Sequence, residues 1–167
     1  MGERLTESDV KKIQAEIDER KFEMRPKLID EVKETRAMGD LSENFEYHEA
    51  KRAKNRNESR IRYLERMLQN ATIVSDKSAD GVVGMNNTVT VYIPEDDETE
   101  KYKITTSIRG DVLANKISIE SPLGKALMGK KVGDKVTVKV NDSYSYEVEI
   151  KAIDESTTDE DDQIKSF

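Results

Sequence analysis

The 167-residue sequence contains no cysteine and no tryptophan, and only 5% of its residues are aromatic. Without cysteine, the chain forms neither disulfides nor thiolate metal sites. Its first residues, MGERLTESDV, lack the apolar run of a signal peptide, and no stretch approaches the ~20 apolar residues of a membrane-spanning helix. We therefore expect a cytoplasmic protein that makes no contact with a membrane.

Apolar residues are also scarce, at 35%, whereas charged residues make up 38% and leave a net charge of −7. A single core over the whole length is not expected from this composition, and an acidic protein does not bind nucleic acid by bulk electrostatics. Residues 51–66 nevertheless carry seven basic and two acidic side chains. This basic run indicates either a solvated helix face or a surface for phosphate or an acidic protein.

The first 75 residues have the apolar periodicity of two helices. Pro26 lies inside the first helical run and, because it has no amide donor, predicts a kink or local break. In the second run the stripe is polar at Lys54 and Asn57, near the turn, and apolar at Ile61 and Leu64. Two such runs joined by a short turn predict an antiparallel coiled-coil hairpin, with arms of about 30 residues and roughly 45 Å.

From Ala71 onward, six short runs alternate with period two and are rich in Val, Ile, Thr and Tyr, which predicts strands. The segment SPLGKALMGKKVGD interrupts them, with a Ser cap, a Pro at the first helical position and Gly129 as the stop. We predict an α+β fold: a coiled-coil hairpin in residues 1–75 with its tip near 37–44, a small antiparallel sheet with one short helix in 76–153, and a mobile acidic tail in 154–167.

The predicted turn, GDLSEN, holds two carboxylates, Asp40 and Glu43. Spacing alone favours capping: Gly39 supplies the turn, Ser42 opens the second helix, and acids at a helix N-terminus complement its dipole. The alternative is metal ligation, because Mg²⁺ is often held by one or two carboxylates with further ligands from a partner. His48, the only histidine, makes no catalytic unit without a nucleophile or a second base.

Four segments, in order, resemble the bacterial Gre-type transcript cleavage factors, and the GreA-like members best: RPKLIDEV, GDLSENFEYHEAKRAKN, RIRYLERMLQNATIV and SIESPLGKALMGKKVGDKVTV. The resemblance covers about residues 5–153. It implies an FKBP-like C-terminal domain that docks at the rim of the secondary channel of bacterial RNA polymerase, and a coiled coil that reaches the active centre. Such a factor is not itself an enzyme: it stimulates the polymerase to hydrolyse backtracked RNA, which rescues arrested complexes.

The same resemblance implies roles for individual residues. Asp40 and Glu43 match the two acids that share a Mg²⁺ with the polymerase active site, the factor having no cofactor of its own. Contacts with the channel or with the 3′ end of the backtracked nascent RNA are implied for Arg36, Leu41, Ser42, Asn44, Lys51 and Arg52. Rim docking is implied for Ser121 and Pro122. The sequence departs from the pattern at Phe45, where many members have a small residue, and in its acidic tail.

Two other functions stay open on the sequence. The same shape serves a regulator that enters the channel and inhibits the polymerase without promoting cleavage. The hairpin also suits a dimerising coiled coil, although the polar seam at Lys54 and Asn57 argues against extensive burial near the tip. We expect a monomer that associates with the nucleoid through RNA polymerase.

Overall fold

The computed structural model describes residues 2–39 and 44–166, which form two compact units. The first unit contains residues 9–71, and the second contains residues 3–8 together with 72–166. The second unit therefore includes a stretch at the start of the chain that the sequence assigned to the hairpin.

The first unit is a hairpin of helices: α1 (Glu7–Glu19), a π-helical turn (Arg20–Met24), α2 (Arg25–Arg36) and α3 (Phe45–Asn70). The predicted break before Pro26 is confirmed. Proline has no amide hydrogen to continue the α-helical ladder, and the chain widens here so that the Arg25 N–H bonds the Arg20 carbonyl, five residues back. Pro26 then lies in the first turn of α2, where a missing donor costs little.

Apolar burial in the hairpin is concentrated away from the turn. Ile13 and Ile17 on α1, and Ile61 and Leu64 on α3, are buried. Every residue of α2 is described, and none of them is buried. On α3 the one buried residue between Phe45 and Asn57 is Ala50. The hairpin thus has an apolar base and a polar, weakly packed tip half, as its sequence predicts.

The second unit is built on a five-stranded sheet of β3 (Thr88–Ile93), β4 (Glu98–Thr105), β5 (Lys116–Ser118), β6 (Lys135–Lys139) and β7 (Ser145–Asp154). The strand order is β5-β4-β3-β7-β6, and all pairs are antiparallel except β4 with β5. The α+β class is confirmed, but the sheet is mixed. Two 3₁₀ turns, Ser107–Arg109 and Val112–Ala114, lie in the connection that brings β5 beside β4 in the same direction.

The core of this unit lies on one face of the sheet, where valines and isoleucines of the strands alternate inward. Helix α4 (Pro122–Leu127) covers this face and contributes the buried Leu127. Gly124 allows the helix to approach closely, because a Cβ there would lie 2.0 Å from the Ser118 carbonyl oxygen.

Two short strands complete the second unit. β1 (Arg4–Leu5) pairs in parallel with β2 (Thr72–Ile73), and Leu5 is fully buried. The sequence predicts β2, which lies within the run ATIVSD, but not β1, which is too short to show a period and is placed by the tertiary structure.

The acidic tail, for which the sequence predicts mobility, contains a buried ion-pair group centred on Asp162. Asp162 is 4% exposed, and its carboxylate meets Lys103 Nζ at 2.9 Å, Arg109 Nη1 at 2.6 Å and Lys116 Nζ at 3.0 Å. The Lys165 N–H also donates to the Ile108 carbonyl at 2.9 Å. The ion pairs of the Asp162 carboxylate with three cations therefore hold the tail on the second unit, although the composition of the tail predicts no packing.

The ion-pair group predicts a pH-dependent stability. Burial raises the pKa of Asp162, but hydrogen bonds from Lys103, Lys116 and Arg109 outweigh it and lower the pKa to about 2 from 3.8. A depressed pKa means that the ionised carboxylate stabilises the fold above pH ~4, and that this contribution is lost as pH falls toward 2.

We expect Asp162→Asn to lower the free energy of unfolding of this unit by about 3 kcal/mol at pH 7, since it leaves a buried arginine without its anion. Urea unfolding followed by near-ultraviolet circular dichroism measures this loss. The difference between the two proteins should shrink between pH 4 and pH 2. The exposed Asp161→Asn is the matched control, and equal effects of the two variants would contradict the assignment.

Candidate functional site

The predicted site lies at the turn between α2 and α3. Asp40, Leu41, Ser42 and Glu43 fall outside the described residues, so their proposed roles stay predictions. The structure describes both flanks of the turn, up to Gly39 on one side and from Asn44 on the other. These flanks determine where the chain leaves α2 and where it enters α3.

The incoming flank ends α2 as the sequence predicts. The Ala37 N–H bonds the Lys33 carbonyl and the Met38 N–H bonds the Thr35 carbonyl, both at 3.2 Å, which closes the last helical turn. Gly39 then has φ of +129°, a conformation that a residue with a Cβ rarely adopts. A glycine is therefore needed at this position to start the turn.

The outgoing flank begins with Asn44 as the cap of α3, two residues later than the expected Ser42. The Asn44 Oδ1 accepts the Tyr47 N–H at 3.0 Å, and its backbone is extended, as a cap requires. Its Nδ2 also donates to the Thr35 carbonyl at 2.6 Å, which ties α3 to the end of α2. Both polar atoms of this side chain thus hold the turn together, a role that the resemblance did not assign to it.

Three of the predicted contact residues are exposed cations on the arm. Arg36 is the last residue of α2, and Lys51 and Arg52 lie in the second turn of α3. Arg52 forms an exposed ion pair with Glu49, so part of its charge is compensated. Arg60 differs from these three cations of the basic run and its flank, because it is 4% exposed and forms an ion pair with Glu16 inside the hairpin.

Two large apolar side chains at the turn were not predicted as site residues. Met38 is 68% exposed and Phe45 is 71% exposed, one on each flank. Phe45 lies off the apolar stripe that includes Tyr47 and Ala50, and this position in the sequence indicates that its side chain is exposed. The tip is therefore more apolar on its surface than the acidic turn sequence indicates.

Four polar side chains meet inside the hairpin, and we call them the mid-hairpin cluster: Glu16, Arg20, Asn57 and Arg60. Arg20 Nη1 donates to Asn57 Oδ1 at 3.0 Å, and Asn57 Nδ2 donates to the Arg20 carbonyl at 3.1 Å. The Glu16 carboxylate accepts Arg20 Nε and Arg60 Nε, each at 2.8 Å. Burial raises the pKa of Glu16, but the hydrogen bonds from Arg60 and Arg20 outweigh it and hold that pKa below its usual value.

The predicted rim-docking residues begin α4 in the second unit. Ser121 caps the helix by accepting the Gly124 N–H at 3.1 Å, and its hydroxyl donates to the Ser118 carbonyl at 2.6 Å. Pro122 occupies the first helical position and is exposed. The neighbouring Glu120 accepts Arg4 Nε at 2.6 Å, so the loop is also tied to β1.

Other kinds of site find no support in the residues that the structure covers. Residues 2–39 and 44–166 contain no group of three metal-binding side chains close enough to hold an ion. Within the same ranges, no helix has the length and hydropathy to cross a bilayer. His48 is exposed and packs edge-on against Tyr47, with ring centroids 5.4 Å apart.

Comparison with known proteins gives matches along both units. The family profile described as "Transcription elongation factor, N-terminal" matches residues 3–73, and "Transcription elongation factor, GreA/GreB, C-term" matches residues 77–155. Transcription elongation factor GreA of Thermoanaerobacter pseudethanolicus is 44% identical over 137 residues, which cover 81% of this chain and 87% of that protein. GreA of Thermotoga neapolitana is 40% identical over 136 residues, with the same two coverages.

Among solved structures, the GreA factor homolog 1 (Gfh1) of Thermus thermophilus is 26% identical, with a TM-score of 0.44, over 92% of this chain and 99% of that chain. The sequence matches carry the assignment. A helical hairpin and a small mixed-sheet unit, both matched by elongation-factor profiles, define the class as transcription elongation factors. Within that class, the chain belongs to the GreA/GreB family.

The cap at the turn gives a direct test. Asn44→Ala removes the acceptor for the Tyr47 N–H and the donor to the Thr35 carbonyl, so we expect the hairpin to lose about 1–2 kcal/mol of unfolding free energy. Thermal unfolding monitored by the helical circular dichroism signal measures it. Asn55→Ala, an exposed position within α3, is the control and should change little. A loss no larger than that of the control would show that Asn44 does not hold the turn.

Proposed function

We propose that this protein enters the secondary channel of bacterial RNA polymerase and stimulates the hydrolysis of backtracked RNA by the polymerase. The observation that carries the proposal is the hairpin of a GreA/GreB family member, with a turn braced by Asn44 and with the acidic pair Asp40 and Glu43 in its sequence. The polymerase supplies the catalytic centre, and the factor has no hydrolytic activity alone. Acting on polymerase, it works in the cytoplasm and at the nucleoid.

The chemistry of the turn fits a shared Mg²⁺. Carboxylate oxygens are the hard donors that this ion takes, but two carboxylates fall short of its octahedral set, so the remaining ligands come from the polymerase and the RNA. The ion, when bound, stabilises the charge of the attacking and leaving oxygens in a phosphodiester displacement. Asp40 and Glu43 would hold it, and the arm would deliver them to the active centre of the polymerase.

The flanking side chains support binding of RNA beside the turn. Arg36 and Lys51 are exposed cations on the two helices that adjoin it, and Arg52 adds a charge shared with Glu49. Cations of this kind attract the phosphates of the backtracked 3′ segment. Leu41, Ser42 and Asn44 complete the proposed contacts, while Ser121 and Pro122 would dock the second unit at the channel rim.

The scarcity of apolar burial in the tip half favours a monomer over a coiled-coil dimer. No residue of α2 is buried within the hairpin, and its exposed surface is largely charged. A second copy packed along such a surface would have to desolvate those charges for little apolar gain. Light scattering should therefore give the mass of a single chain at micromolar concentration.

The deciding experiment uses halted bacterial elongation complexes with backtracked, 3′-labelled RNA. We expect the wild-type protein to release short 3′ fragments, and Asp40→Ala or Glu43→Ala to slow that release by about a hundredfold, the order lost when one stabilising group leaves a reaction centre. The same substitutions at exposed acids of α2, Asp30→Ala and Glu34→Ala, are the matched controls. Competition with labelled wild-type protein checks that each variant still binds polymerase.

Two outcomes would contradict the proposal. Cleavage at the wild-type rate by both turn variants would remove Asp40 and Glu43 from the mechanism. Slower nucleotide addition by the wild-type protein, without released RNA, would identify an inhibitor that occupies the channel and does not promote cleavage.

A further inference from the structure

The mid-hairpin cluster holds polar groups at the point where a coiled coil usually buries apolar ones. Asn57 is 3% exposed and Arg60 is 4% exposed, and both face the first arm of the hairpin. An apolar seam tolerates sliding, because one aliphatic contact replaces another. A buried polar side chain with one specific partner does not, and a single asparagine in a seam is known to specify register.

The link between Asn57 and Arg20 includes the backbone. The Arg20 carbonyl accepts the Arg25 N–H across the π-helical turn and also accepts Asn57 Nδ2 at 3.1 Å. A contact between two side chains adjusts by changing rotamers, whereas a carbonyl fixed in a helical turn cannot follow its partner. This bond therefore couples the axial position of α3 to the place where the first arm changes its hydrogen-bond pattern.

Sliding by one helical turn, about 5.4 Å, would break every contact of the cluster that joins the two arms. Asn57 would then lie about one turn away from Arg20, and it would lose both the bond to the Arg20 carbonyl and the bond from the Arg20 side chain. Arg60 would also move away from the Glu16 carboxylate that it reaches at 2.8 Å. The cluster thus stabilises one register against its nearest alternatives.

Packing nearer the turn adds little to that choice. Asn57 and Asn44 are 13 residues apart on α3, or about 20 Å along the axis. Ala50 is the one buried residue of α3 in this interval, and α2 has none. The two arms are therefore weakly packed between the cluster, which holds their register, and the Asn44–Thr35 hydrogen bond at the turn.

We propose that Asn57, acting with Arg20, is a positioning residue that sets the reach of the hairpin turn. The register role stands on the cluster alone, and its consequence for Asp40 and Glu43 rests on the proposed function. Misplacement of a reacting group by about 1 Å can cost a hundredfold in rate, so a slip of the register would slow RNA cleavage while leaving polymerase docking intact.

The register is measurable without polymerase. The natural chain has no cysteine, so Lys33→Cys and Arg56→Cys give two unique sites for spin labels. Both positions are exposed, and they are offset along the arm so that sliding changes their separation. Double electron–electron resonance should give one narrow distance distribution. Asn57→Leu should broaden it or add a population displaced by several ångströms, up to about 5.4 Å for a full turn.

The same variant separates register from stability. An aliphatic residue suits a helix seam, so we expect Asn57→Leu to keep or raise the thermal midpoint of the hairpin. In the cleavage assay at saturating factor we expect its rate to fall at least about tenfold, with the half-saturating concentration within about twofold of wild type because docking surfaces are unchanged. Loss of stability alone would not produce that combination.

Two further variants complete the design. Asn57→Ala removes both hydrogen bonds with Arg20, including the one to the Arg20 carbonyl, and it decides the matter if Asn57→Leu fails to fold. Lys21→Ala is the control, because it removes a partly exposed cross-helix ion pair with Glu65 one residue from the cluster. It should keep both the wild-type distance distribution and the wild-type cleavage rate.

A narrow wild-type distribution in both Asn57→Leu and Asn57→Ala would overturn the register role, whatever their cleavage rates. A changed distribution with wild-type cleavage would overturn the positioning role. If the wild-type protein itself releases no RNA while the distribution of the variants changes, the register role stands and the proposed function fails.

Discussion

The reciprocal hydrogen bonds between Arg20 and Asn57 are the interaction on which the hairpin depends. Two helices without a third layer leave their seam open to water, and this chain has few apolar residues with which to close it. A polar contact made to a backbone carbonyl specifies register where apolar area cannot. The π-helical turn that accommodates Pro26 lies at the same level, so the break in the first arm and the contact with the second arm form one feature.

The turn divides its tasks among neighbouring residues. Gly39 supplies the backbone conformation, and Asn44 uses both atoms of its amide to join α3 to the end of α2. Among the described residues of the turn, Gly39 and Asn44 therefore have the structural roles. In the sequence, capping and metal ligation are alternative explanations of the acidic pair. In the molecule the cap of α3 is Asn44, so capping of this helix does not require Asp40 or Glu43.

In the second unit, a few ion pairs pack a segment whose composition predicts that it does not pack. Residues 154–162 are rich in acid and poor in apolar side chains, which is typical of mobile segments. Yet Asp162 is enclosed by Lys103, Arg109 and Lys116, which lie on or beside strands β4 and β5. Their convergence comes from the parallel pairing of β4 with β5, a non-local feature without a signal in the local sequence.

The sequence by itself determined whatever depends on local periodicity and on single residues with restricted backbones. The two helical arms, the break at Pro26, the turn at Gly39, the strands and the short helix after Ser121 all follow from such signals. Tertiary structure alone decided the cap at Asn44, the strand at Arg4–Leu5, the parallel edge of the sheet, the docking of Asp162 and the partners of Asn57. Apart from the cap, which bonds Thr35 across the turn, each of these joins residues far apart in the chain. Spacing within one segment carries no information about the group that it will meet across another.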